Sequence, residues 1–165
     1  FGVNPIVYAA TGVDAVRDGQ LYCFNMFATL DGDFLKKASA LLAEGGPPKL
    51  KASGLHPDMM KRGAIRSVFD GRYQFTRYFS SKQHNLPQSL DDLFALNDVE
   101  LFDLQNDPDE LDNLARDRER NSALLLAMNS KLNRLIAEEV GEDVGQMLPG
   151  GVDGGWVATN AVNDL

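Results

Sequence analysis

Cysteine is nearly absent: Cys23 stands alone in 165 residues, so no disulfide can form within the chain and redox compartment is left open. Histidine is almost as scarce, with only His56 and His84. No apolar run approaches the length needed to span a bilayer, and no signal-peptide pattern is visible, so neither membrane nor compartment is indicated. Positive charge is outweighed, 16 Lys and Arg against 24 Asp and Glu, for a formal net charge of −8. Phosphate backbones are held by clustered cations, so this balance argues against nucleic acid and other polyanions as partners. What remains, 44% hydrophobic residues in a chain of this length, is enough for one domain with a modest core.

The pattern along the chain is mixed. Leu21 to Leu30 is apolar and aromatic, consistent with a buried strand or a helix. Within it Cys23, flanked by Tyr22, Phe24 and Phe27, reads as a small buried hydrophobe with no cationic neighbour in sequence to activate it. Asp33 is placed to cap a helix from Phe34 to Ala43, ended by Gly45, Gly46, Pro47 and Pro48. Residues 45–61, rich in proline and glycine, read as an irregular loop. Ala64–Phe69 and Arg72–Phe79 alternate as two strands around the turn dipeptide Asp70-Gly71, with Arg77 interrupting the inner row. A long connection from Ser80 to Asp98 has room for a short helix at Ser89–Leu96. Val99–Leu104 is a third strand. Asp107, Pro108 and Glu110 then suit a capped helical turn with Leu111 and Leu114 as apolar anchors. Asn121 precedes what reads as the longest helix, Ser122–Val140, whose stripe of Leu124, Leu125, Met128, Leu132, Leu135 and Ile136 lies opposite Asn129, Arg134 and Glu138. Gly141 stops it. The order predicts an α+β fold: a small antiparallel sheet of at least three strands packed on a long C-terminal helix.

Two stretches carry a resemblance to a known family. Glu100-Leu101-Phe102-Asp103-Leu104, then Asp107-Pro108 and Glu110, then Asn113-Leu114-Ala115, is similar to the phrase E-L-Y-D-L-x-x-D-P-x-E-x-x-N-L-A that closes the sulfatases. These are formylglycine-dependent arylsulfatase-type hydrolases of the alkaline phosphatase superfamily. Upstream, residues 62–78 resemble the same family's paired strands, R-x-x-x-x-G-x-Y-K-x-I-x-Y. The resemblance covers roughly Arg62 to Gly145 and implies the C-terminal subdomain of a larger α/β enzyme that hydrolyses sulfate monoesters. On that basis residues 1–61 would pack on a catalytic domain, 62–141 would be the C-terminal subdomain, and 142–165 a glycine-rich tail.

The nucleophile motif of that family, C-x-P-x-R or S-x-P-x-R, is missing. Asn25 and Phe27 stand where Cys23 would need the proline and the arginine. The metal-binding acids are missing too, and the chain opens on Phe1, so it is expected to be a C-terminal piece that shapes the substrate cleft without performing the chemistry. Calcium and formylglycine, which the resemblance implies as cofactors, are expected in the N-terminal part and neither in this chain; no catalytic residue and no metal ligand is assigned. The acids at 103, 107, 109, 110 and 112 lack the alternation and central glycine of a calcium loop and read as turn and cap residues. For substrate contact the candidates are His84, His56 and Trp156. The plainer reading of each histidine is a hydrogen-bonded loop residue, and of Trp156 an anchor for its own tail. The expected partners are the N-terminal catalytic domain, a small-molecule sulfate ester and, through the tail, a second copy of the chain. A phosphonate or phosphate monoester hydrolase of the same superfamily, or a non-catalytic interaction module, fits the same subdomain.

Overall fold

The structure, a computed structural model, describes residues 17–25 and 31–146. Four strands form one antiparallel meander in the order β1 (Gln20–Asn25), β2 (Arg62–Phe69), β3 (Tyr73–Ser80) and β4 (Asn97–Asp103). Helix α1 (Gly32–Ser53) lies between β1 and β2, α2 (Leu90–Leu96) between β3 and β4, and α3 (Ser122–Glu139) follows a short 3₁₀ turn at Leu114–Arg116. This is the α+β arrangement the sequence predicts, with β1 as a fourth strand drawn from the segment before Arg62.

The hairpin forms because Asp70 does most of the turn's work. Its carboxylate accepts from the amides of Arg72 and Tyr73, and Gly71 supplies φ 102°, a left-handed conformation that side chains resist. Alternation then sorts the faces. Val68, Phe75 and Leu101 stand opposite one another across β2, β3 and β4 and meet Leu125, Met128, Leu132, Leu135 and Ile136 of α3, with Leu93 of α2 closing one side. Burying a leucine fully contributes roughly 1.5–3 kcal/mol, so these contacts account for most of what holds helix to sheet. On the other face, Ser67 and Thr76 share a hydrogen bond of 2.7 Å and the Tyr78 hydroxyl donates to Glu100. That bond, together with burial, which is the larger cause, pushes the Tyr78 phenol up to about 12.

Several local expectations are corrected. Helix α1 does not stop before Gly45: it resumes after a kink at Gly46 (φ 67°, ψ −165°) and runs to Ser53. Pro47 and Pro48 begin the second segment, where a missing amide leaves no hydrogen bond unmade, so proline tolerates a position that reads locally as a loop. At 22 residues α1 also exceeds α3, which has 18. The N-cap of α1 is Asp31, not Asp33; its Oδ1 accepts from Phe34 N at 3.1 Å. The same carboxylate takes Lys61 Nζ at 2.7 Å and Asp58 N at 2.9 Å, tying both ends of the α1 excursion together. A separate apolar cluster of Phe34, Ala38 and Leu50 sits inside that excursion.

Cys23 is exposed on the edge strand rather than buried. The helical turn expected after Asp107 is absent, because Glu110 adopts φ 54° and breaks it; Asp107 instead accepts from the amides of Leu111 and Asp112 in a tight loop. Leu111 is consequently 81% exposed and anchors nothing among the described residues, whereas Leu114 does pack on the core. Asn121 starts α3 without a side-chain cap and donates instead to the Leu114 and Asp117 carbonyls. No described helix is long and apolar enough to cross a membrane.

Candidate functional site

Between the sheet and the C-terminal half of α3 lies a row of polar residues that periodicity alone does not announce. Cys23, Arg66, Arg77 and Val99 are cross-strand neighbours on β1 to β4, all on the face toward α3. Two guanidinium groups are thus placed side by side under a helix. They reach different partners. Arg66 forms a two-pronged pair with Asp143, which lies just past α3: Nε donates to Oδ2 at 2.7 Å and Nη2 to Oδ1 at 3.1 Å. Its Nη1 donates to Asn25 Oδ1 and to the Ile65 carbonyl.

Arg77 is 1% exposed, and no carboxylate lies within ion-pair distance of it among the described residues. Its Nη1 donates to Asn129 Oδ1 at 2.9 Å and Asn133 Oδ1 at 2.8 Å, while both asparagines donate from Nδ2 to the Pro87 carbonyl. Burial, reinforced by Arg66 and opposed by Asp143, pushes its guanidinium down to about 10, so it stays charged at neutral pH. Asn129, expected on the wet side of α3, is therefore a buried bridge between helix, sheet and the 81–89 loop.

That loop also carries His84. Its side chain is 4% exposed, with Nδ1 3.0 Å from Asp143 Oδ1 but out of line for a hydrogen bond, so both ring nitrogens lack a hydrogen-bond partner among the described residues. The ring meets Phe79 edge-on at 5.0 Å, and the Arg66 guanidinium sits 5.4 Å from the same phenyl centroid. Burial pushes the Asp143 carboxyl up, yet contacts with His84 and Arg66 outweigh it and hold the group well below the usual carboxylate range. His84 is thus a buried member of an Arg–Asp–His cluster, not an open loop histidine. His56, by contrast, is exposed, and its Nδ1 makes only a long contact of 3.5 Å with the Pro57 carbonyl. Trp156 lies outside the described residues.

Chemically this cluster organises backbone and does not supply a nucleophile. Although Cys23 is exposed at the sheet edge, desolvation by its neighbours raises the thiol pKa despite the opposing charge of Arg66, and this disfavours the thiolate. Among the described residues no group of three His, Cys, Asp or Glu is placed to hold a metal ion. Two of the hairpin arginines are paired within the chain, Arg66 with Asp143 and Arg72 with Asp103 at 2.6 Å.

The stretch similar to the sulfatase phrase builds the outer edge of the sheet. Asn113 Oδ1 accepts from Leu101 N at 3.0 Å and Ala115 N at 2.9 Å, and its Nδ2 donates to the Val99 carbonyl at 3.2 Å, so one side chain caps the open edge of β4. Asp103 closes the strand end by taking Arg72 and the Asn106 amide. Compared with models of known protein families the chain gives no match, and no curated protein matches it.

Proposed function

We propose that this chain is the C-terminal part of a sulfatase that hydrolyses sulfate monoesters, with the nucleophile and calcium in an N-terminal catalytic domain and this part shaping the substrate cleft. The observation that carries the reading is the ordered phrase from Glu100 to Ala115. Its weight comes from interdependence. Asp103, Asp107 and Asn113 each act on backbone groups within the phrase or beside it, so their spacing is constrained by one local geometry and a partial coincidence would not assemble it. In this reading the 81–89 loop borders the cleft, held by the bonds of Asn129 and Asn133 to Pro87 and by the packing of His84 on Phe79, and exposed His56 is the histidine free to meet a sulfate ester.

The test has two readouts. The purified 165-residue chain is expected to give no turnover of an aryl sulfate, and the polypeptide upstream of Phe1 is expected to read C-x-P-x-R or S-x-P-x-R. Turnover by the chain alone, or an upstream sequence without that motif, would overturn the proposal. Matched aryl sulfates and phosphonates offered to the intact enzyme separate the sulfatase from a phosphonate hydrolase.

A further inference from the structure

Away from the buried cluster, a pocket of about 420 Å³ opens where β2 and β4 begin, against α2 and the 3₁₀ turn. Its lining is cationic in a chain of net charge −8: among the described residues Arg62, Arg116 and Arg118 face one acid, Asp98. Asp98 is already engaged by Arg62, which also reaches the Ala95 carbonyl. Arg118 lies on the Phe94 ring, its guanidinium carbon 3.8 Å from the centroid. Stacking uses the face of the guanidinium and leaves its N–H edge available. Among the described residues neither Arg116 nor Arg118 has an acid within ion-pair distance, and neither side chain donates a hydrogen bond. The neighbouring acid does not neutralise them: Asp117 turns its carboxylate back onto Arg120 N.

Asn97 braces the wall from within. Asn97 is 2% exposed, and its Nδ2 is committed to the Leu93 carbonyl at 2.8 Å and Asn85 Oδ1 at 2.9 Å, which fixes the amide's orientation. Its Oδ1 has no donor among the described residues. A buried acceptor without a donor is unfavourable unless something supplies one. With less than 1 Å² of accessible surface that oxygen is sealed from the pocket, so recognition there falls to the arginines.

We propose that this pocket binds a small organic oxyanion, a carboxylate, phosphate or sulfate group held by Arg116 and Arg118. Arginine suits the anionic end because its planar fork matches two oxygens at once. The volume falls in the range of small-molecule sites, and a concave cationic wall concentrates anions from solution. The site is independent of the sulfatase reading, since it uses no residue assigned to the cleft there.

The test is calorimetric titration of the full 165-residue chain with glucose 6-phosphate, inorganic phosphate, inorganic sulfate and glucose. Saturable binding of glucose 6-phosphate with none for glucose is expected; binding of the inorganic ions in addition assigns recognition to the oxyanion itself. Arg118→Gln and Arg116→Gln should each weaken binding about tenfold or more, because each removes a charge-assisted bond. Arg118→Lys should not restore it, since lysine keeps the charge and loses the fork. Both arginines are exposed, so unchanged thermal melting will show that the variants fold. Absence of saturable heat with every anion, retention of binding in Arg118→Gln, or an equal loss in the distant surface variant Arg134→Gln would overturn the proposal.

Discussion

At Arg77 a full positive charge is enclosed between sheet and helix, and its hydrogen-bond acceptors are amide oxygens from one helical face. Asn129 and Asn133 do not carry equal loads. Asn129 is buried, so Asn129→Ala removes one of the two acceptors of the guanidinium and one of the two donors to the Pro87 carbonyl in a place water does not reach; the expected loss is about 2 kcal/mol. Asn133 is half-buried, water can replace its amide, and Asn133→Ala should lose about half as much. Urea denaturation of the two variants measures the difference, and equal losses would contradict this division. The inner-row position of Arg77 is legible in the alternation of β3, but its acceptors lie more than fifty residues away, beyond any local pattern. A signal for Asn129 was nonetheless present. It follows Leu125 by four residues and precedes Leu132 by three, which is the spacing of the buried stripe itself. Its chemistry argued for the wet face while its position argued for the core, and position decided.

Elements were readable where local chemistry and tertiary packing agree, as in the hairpin at Asp70-Gly71 and the short helix α2, which Ser89 caps by accepting from Asp92 N. They were misread where packing overrides the local pattern. The Gly-Gly-Pro-Pro stretch reads as a break, and Gly46 does break α1, but the two prolines then open a second helical segment whose Leu50 closes back onto Phe34 and Ala38. The kink is held by a backbone conformation open essentially to glycine. Gly46→Ala is therefore expected to cost about 1–3 kcal/mol locally and to speed amide exchange across residues 47–53. Gly32→Ala, in the first turn with no atom crowding its Cβ, should be neutral or slightly stabilising. Native-state hydrogen exchange on both variants distinguishes a conformational requirement at Gly46 from a general intolerance of substitution in α1.

For the whole molecule, the layer order of sheet and helix was legible because it follows from two periodicities, whereas the buried cluster was not, because Arg66 and Asp143 are 77 residues apart and only folding brings them together. Four of the carboxylates that join distant segments share one property. Asp31 with Lys61, Asp70 with Lys131, Asp103 with Arg72, and Asp143 with Arg66 and His84 are all held below their ordinary value of 3.8, Asp103 at about 2 through its bond to Arg72. A carboxyl whose folded pKa lies below its unfolded value binds fewer protons when folded, so its stabilising effect is complete above the unfolded value and is lost as pH falls through the folded one. The window follows directly: stability should be level with respect to these groups from neutral pH down to about 5, then fall steeply below about 4. Asp31 closes the α1 excursion and Asp143 fastens the stretch after α3, so both should loosen in that window, before the apolar contact of α3 on the sheet gives way. Urea midpoints followed by circular dichroism from pH 7 to pH 2.5 test the claim, and Asp143→Asn should flatten the acid limb while lowering stability at neutral pH. A midpoint that stays constant from pH 6 to pH 3 would show that these pairs do not hold the segments together.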